Sequence, residues 1–197
     1  MKSLLVILVI VIACFSNASL AQYVLIQNTN DIGIYFKVGQ CYNTVVYLYQ
    51  VPVGISSTLY TIDSDNNNIV WMLYDDDACQ NLMDTTNIPI NSDYTSSYGE
   101  FTSGTYVVTD SPTLPANSFS FGSQMDSDCQ PNVVSYFPTD TCFENPENEM
   151  EPTTIECLTN GTIIYSAWND PKCQTLGLQY IMEVTLDCQQ GYWNRCS

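Results

Sequence analysis

Histidine is missing altogether from these 197 residues, and Lys and Arg together number only four against 21 acidic residues. Without an imidazole, the Ser-His-Asp and Cys-His schemes have no general base. The shortage of cations works against nucleic acid and against anionic membrane surfaces, because phosphate backbones and anionic lipids recruit basic groups. A zinc site would need histidine or a close Cys-x-x-Cys pair, and neither is present. Long apolar runs are also absent beyond residue 14, so no later segment approaches the roughly 20 residues that span a bilayer. The closing W-N-R-C-S is polar, so no lipid-anchor tail is expected. No catalytic, cofactor-binding or metal-ligating set is therefore assigned.

The N-terminus has a different character. Lys2 precedes an eleven-residue apolar stretch, Leu4 to Cys14, followed by S-N-A-S-L-A with small residues at Ser19 and Ala21. This is the pattern of a secretory signal peptide, residues 1–21, cut after Ala21 to leave a secreted, extracellular domain over residues 22–197. Cleavage removes Lys2 and leaves three basic against 21 acidic residues, a formal net charge of −18. It also removes Cys14 and leaves eight cysteines: Cys41, Cys79, Cys129, Cys142, Cys157, Cys173, Cys188 and Cys196. An even number in an exported chain reads as four disulfides.

What remains is rich in strand signals. Residues 44–51 alternate, with Val45, Tyr47, Tyr49 and Val51 on one side, and P-V-G at 52–54 is expected to end that strand. Residues 23–27, 32–38, 105–109, 133–137, 162–168 and 177–186 read as further strands, the last one half-buried. Residues 59–74 read as a β-hairpin about the turn D-S-D-N-N-N, whose Asx side chains bond nearby backbone. Residues 85–103 look polar and irregular apart from the short run I-P-I at 88–90, and E-N-P-E-N-E-M-E-P at 144–152 reads as an exposed loop. No segment sustains a 3.6-residue period. The expectation is an all-β, disulfide-stapled sandwich or Greek-key-like arrangement. Two repeated sub-units would divide at the proline-containing stretch 110–117.

One motif recurs. Residues 69–80 read I-V-W-M-L-Y-D-D-D-A-C-Q, residues 121–130 read F-G-S-Q-M-D-S-D-C-Q, and residues 163–174 read I-I-Y-S-A-W-N-D-P-K-C-Q. Each is an apolar run, a large side chain (Tyr74, Met125, Trp168), an acidic turn and Cys-Gln. In the last two copies another cysteine follows one strand later, Cys142 after Cys129 and Cys188 after Cys173, whereas Cys79 has only Cys41 upstream. Eight cysteines allow 105 pairings, so connectivity stays open. The strand, aromatic and Asp/Asn-rich turn before Cys, with the abundance of Asn, Thr, Ser and Tyr, resembles small secreted cysteine-rich proteins of cellular slime moulds. That resemblance implies extracellular residence and no established activity.

The acidic turns invite a calcium reading. Asp63-x-Asp65-x-Asn67 imitates the start of an EF-hand loop, but Asn68 occupies the glycine position and Tyr74 the place of the bidentate glutamate. A solvated turn is the better reading of this segment and of Asp75, Asp76 and Asp77. Asp84-Thr85-Thr86 resembles an aspartic-protease signature without its glycine. Trp71 and Trp168 are expected in the core and Trp193 at the surface. Asn160-Gly161-Thr162 is the sequon of the mature chain and also a turn signal. The chain therefore reads as a non-catalytic secreted protein acting by surface recognition of an extracellular protein or glycan. The alternative is a carbohydrate-active protein, either a lectin-like module or a hydrolase using two carboxylates.

Overall fold

The computed structural model describes residues 22–28, 31–48, 51–95, 103–126, 128–144, 151–185 and 191–197. The expected leader, Cys188, Leu186 and residues 145–150 of the glutamate-rich loop lie outside them. The first part of the chain supplies β1 (Tyr23–Gln27), β2 (Gly33–Lys37), β3 (Cys41–Leu48), β4 (Val51–Asp63), β5 (Asn68–Tyr74), β6 (Leu82–Pro89), β7 (Ser92–Tyr94) and β8 (Gly104–Thr109). The second supplies β9 (Ser118–Met125), β10 (Pro131–Pro138), β11 (Phe143–Glu144), β12 (Pro152–Cys157), β13 (Thr162–Trp168), β14 (Leu176–Glu183) and β15 (Tyr192–Cys196). The described residues are all β.

A seven-stranded sheet runs in the order β15-β9-β10-β2-β1-β8-β7, and two four-stranded meanders run β3-β4-β5-β6 and β11-β12-β13-β14. The large sheet mirrors itself about the antiparallel seam between β2 and β10, where Tyr35 faces Val134 and Ile34 faces Ser135. On each side of that seam a hairpin leads into one meander, and the chain then returns antiparallel to the hairpin's first strand, β8 on β1 and β15 on β9. Both meanders carry a register shift at the same place, between Leu73 and Tyr74 in one and between Ala167 and Trp168 in the other. The two parts of the chain thus follow one plan, joined through β2 and β10.

Period-two alternation explains the layering. Val24, Ile26 and Tyr106 on one face of the large sheet pack with Tyr42, Tyr60, Ile69, Trp71 and Ile88 of the first meander. On the same face, Phe119 and Phe137 pack with Phe143, Ile155 and Ile163 of the second. The opposite face gathers Tyr23, Tyr35, Val134 and Tyr136, with Leu114 and Trp193 against them. Residues 110–117 cross this face, and the Tyr35 hydroxyl donates to the Thr113 carbonyl at 2.7 Å. Aromatic rings lie flat over two glycines here: a Cβ at Gly33 would collide with Tyr136 and one at Gly122 with Trp193. The arrangement is a sandwich, with two small sheets side by side on one large one.

Three expectations are corrected. The P-V-G at 52–54 does not end a strand but lies inside β4, beside a register shift between Val46 and Tyr47. A bulge is one of the few places where a ladder accepts proline. Residues 85–103 are less irregular than their composition suggests, because they contain the end of β6 and all of β7. Only Ile88 of β6 is buried. Backbone bonding to β5, which needs no apolar side chains, holds the rest. Finally, β14 is not half-buried: apart from Met182 its residues are exposed, because it is the outermost strand of its meander.

The buried tyrosines make a prediction. Burial pushes the phenols of Tyr42, Tyr60 and Tyr106 up, and that of Tyr136 up to about 12. These folded values lie above the ordinary one near 10. Their contribution to stability is therefore intact below about pH 10 and is lost as the pH rises through the folded values. An ultraviolet phenolate titration should show these groups ionising together with unfolding, separately from exposed tyrosines. A single smooth titration of a folded protein would contradict it.

Candidate functional site

The recurring motif resolves into one physical device, an aspartate that accepts backbone N–H groups. Asp76 accepts from the amides of Ala78 at 2.6 Å, Gln80 at 3.0 Å and Asn81 at 2.5 Å. Asp170 accepts from Lys172 at 3.0 Å, Gln174 at 3.0 Å and Thr175 at 2.5 Å. Both corners close with a backbone bond, from Asp75 N–H to the Asn81 carbonyl and from Asn169 N–H to the Thr175 carbonyl. Both place their cysteine at positive φ, 53° for Cys79 and 52° for Cys173. Left-handed backbone is costly for an L-residue, and these bonds with the disulfide hold it in place.

The disulfides then match. Cys41, at the start of β3, bonds Cys79, and Cys142, just before β11, bonds Cys173. Each ties the first strand of a meander to the corner between its third and fourth strands. Cys157 of β12 bonds Cys196 of β15, joining the second meander to the large sheet. Cys129 is disulfide-bonded too.

The middle echo of the motif is a different corner. Asp126 accepts from Asp128 and Gln130, both at 2.9 Å, in the hairpin turn between β9 and β10. Its counterpart by position is the turn between β1 and β2, where Asn28 accepts from Ile32 N–H at 3.2 Å and donates its own N–H to the Ile32 carbonyl. Asp126 also meets Lys37 of β2 at 2.9 Å, an ion pair across the seam between the two parts of the chain.

These bonds decide the electrostatics. The Asn81 amide, then those of Ala78 and Gln80, holds the Asp76 carboxyl below the ordinary carboxylate range, and the Thr175 amide leads the same effect at Asp170. At Asp126 the Gln130 amide leads, followed by the Lys37 side chain. Folded values below the unfolded ones mean that the contribution is present above about pH 4 and is lost as the pH falls through the folded values. The Asp76→Ala, Asp170→Ala double variant should melt lower at neutral pH and show a flatter fall in Tm between pH 5 and pH 3. Parallel Tm profiles for the two proteins would refute the assignment.

The other candidates disperse. Asp63 accepts from Asn66 through both its backbone and its side chain, closing the turn between β4 and β5. Among the described residues, no group of three or more Asp, Glu or Cys side chains is arranged to hold a metal ion. Asp84 bonds the adjacent Thr85 N–H on an exposed strand. Trp71 is buried, and its indole N–H donates to Thr58. Trp168 is half-buried and donates to Thr154 at 3.0 Å. Trp193, expected at the surface, is half-buried over Gly122 with the Arg195 guanidinium 4.7 Å above its ring. Asn160 sits in the exposed turn before β13, where its side-chain oxygen accepts from Thr162 N–H.

One concavity was not legible in the sequence. A cavity of about 490 Å³ lies between Asp31, Pro138, Cys142, Glu144, Pro152 and Pro171. Its size suits a small ligand, and it holds two carboxylates, walled by three prolines and one aromatic ring, that of Phe143. Its lining comes from four separate segments of the chain, so no local pattern announces it.

Comparison adds one finding. No curated protein and no solved structure matches this chain. The repeated corner-and-cysteine plan extends through both parts of the chain, and so does the match to a single family model, described as counting factor-associated protein A/B/C, which covers residues 1–197; the chain belongs to that family.

Proposed function

We propose that the chain is a secreted, non-catalytic extracellular protein that acts by surface recognition, and, from its family's description as counting factor-associated, that it associates with counting factor. The observation that carries the reading is the use made of the motif aspartates. Asp76, which lies in one of the acidic turns that invite a calcium reading, and its counterparts Asp126 and Asp170 in the other copies of the motif are taken up by backbone amides that build the scaffold. That leaves surfaces rather than a reactive centre as the means of action. Purified protein mixed with purified counting factor should co-elute in gel filtration; separate elution at micromolar concentrations would overturn the association. The protein recovered from medium should begin at Gln22 and lose mass on deglycosylation at Asn160. Disulfide mapping should find no free thiol.

The cleft favours the carbohydrate reading as a second possibility. Asp31 and Glu144 share it, and paired carboxylates flanking a sugar are what a glycosidase uses. A glycan array probed with wild type and with Glu144→Gln tests it, and no binding by wild type removes it.

A further inference from the structure

The two outer strands β6 and β14 occupy equivalent places, yet their surfaces differ. Counted from the shared register shift, Leu73 opposite Asp84 corresponds to Ala167 opposite Leu178. In the same way Trp71 opposite Thr86 corresponds to Tyr165 opposite Tyr180, and Val70 opposite Asn87 to Ile164 opposite Ile181. Where β6 carries Asp84, Thr86 and Asn87, β14 carries Leu178, Tyr180 and Ile181. The plan of the fold accepts polar residues at these positions, so it does not require the apolar ones. They are well exposed: Leu178 50%, Tyr180 53% and Ile181 72%, with Val184 exposed beside them; up to the bulge the strands are alike, with Leu176 exposed on β14 and Leu82 and Met83 on β6.

The strand is also open. β14 pairs with β13 on one side, and among the described residues none pairs with its other edge. Natural sheets guard such edges with charge, proline or a bulge. Both strands share the bulge near their start; beyond it β6 adds Asp84 and Pro89, whereas β14, reading L-G-L-Q-Y-I-M-E, adds only its terminal Glu183.

We infer that β14 pairs antiparallel with β14 of a second copy of this chain, extending the four-stranded meander into an eight-stranded sheet across a two-fold axis. Charge selects this occupant. A basic partner would be drawn by an acidic edge, and this strip is nearly neutral in a chain of net charge −17. A neutral strip is where two such chains approach with least repulsion. The register permits it: pairing centred on Tyr180 sets Leu178 against Met182 and Gly177 against Glu183, so no like charges face each other. An isologous contact of this kind closes at two copies. Burying the exposed apolar parts and strand edges of both copies removes on the order of 1,000 Å², about the threshold for a specific interface. The fold already uses the same device internally, since β2 and β10 occupy equivalent positions and join antiparallel.

Sedimentation velocity on the mature protein tests this independently of counting factor. Wild type should show a concentration-dependent dimer that tightens as salt screens the repulsion between acidic copies. Leu178→Asp with Ile181→Asn, which copies β6, should weaken dimerisation at least tenfold with circular dichroism unchanged. Tyr180→Thr is the milder second variant, should the first fail to fold. Hydrogen exchange should show concentration-dependent protection of β14 and not of β6. A monomer up to about 100 μM, a hundredfold above the concentration that half-fills a micromolar interface, would overturn the inference. So would a dimer indifferent to the folded variants, or protection on another strand.

Discussion

The Cys157→Ser, Cys196→Ser double variant should lose about 4 kcal/mol of stability, read as a lower urea midpoint, because removing a bond across a loop of this length frees that much unfolded-chain entropy. The bond closes a separation of 39 residues and fastens β12 of the second meander to β15 of the large sheet. Native domains hold about 5–15 kcal/mol in total, so the loss is a large fraction of the whole. Its consequence should also be local. Cys157 and Cys196 both border the cluster of Phe119, Phe137, Ile155 and Ile163, so the second meander should become susceptible to protease before the first. The Cys41→Ser, Cys79→Ser variant should show the reverse order, since that bond closes a similar separation of 38 residues on the other meander. A loss below about 1 kcal/mol, outside the usual range for a structural disulfide, would mean that packing alone holds the second meander down.

Trp71→Ala should cost about 3–5 kcal/mol, the usual range for deleting a buried large aromatic. Trp71 is 3% exposed. Its ring lies nearly parallel to Tyr60, with centroids 6.3 Å apart and 12° between planes, and edge-on to Tyr94 at 79°. Truncation opens a cavity between the large sheet and the first meander, and it removes the indole N–H from Thr58. Trp168, half-buried at the end of β13, should tolerate the same change with a smaller loss. Equal losses at the two positions, measured by chemical denaturation, would show that the packing of the two meanders is not as described.

The contrast between these tryptophans shows how far local pattern carries. Both were expected in the core because both lie in strand-like runs, and only Trp71 has a second sheet over it. The hairpin over residues 59–74 was legible because its strands and turn are contiguous and each carries its own signal: alternation in β5 and Asx residues between the strands. β6 was not legible, because an edge strand is held by backbone bonds that leave no trace in side-chain pattern. The cleft at Asp31 and Glu144 was hidden for another reason, its lining being distant in sequence.

Composition and spacing by themselves determined the β class, the turns, the exclusion of histidine-dependent chemistry and the aspartate-before-cysteine corners. These depend on local preferences: period two, Asx turns and the need of orphan amides for an acceptor. Tertiary structure alone decided that the first and third corners are equivalent and the second is not. It decided that Cys142 meets Cys173 rather than its nearer neighbour Cys129. It also decided that the alternating strand near residue 180 faces open solution instead of a core. The reason is common to all three. Which strands become neighbours, and which edge is left without one, follows from how the sheets stack, and no single segment of the chain carries that information.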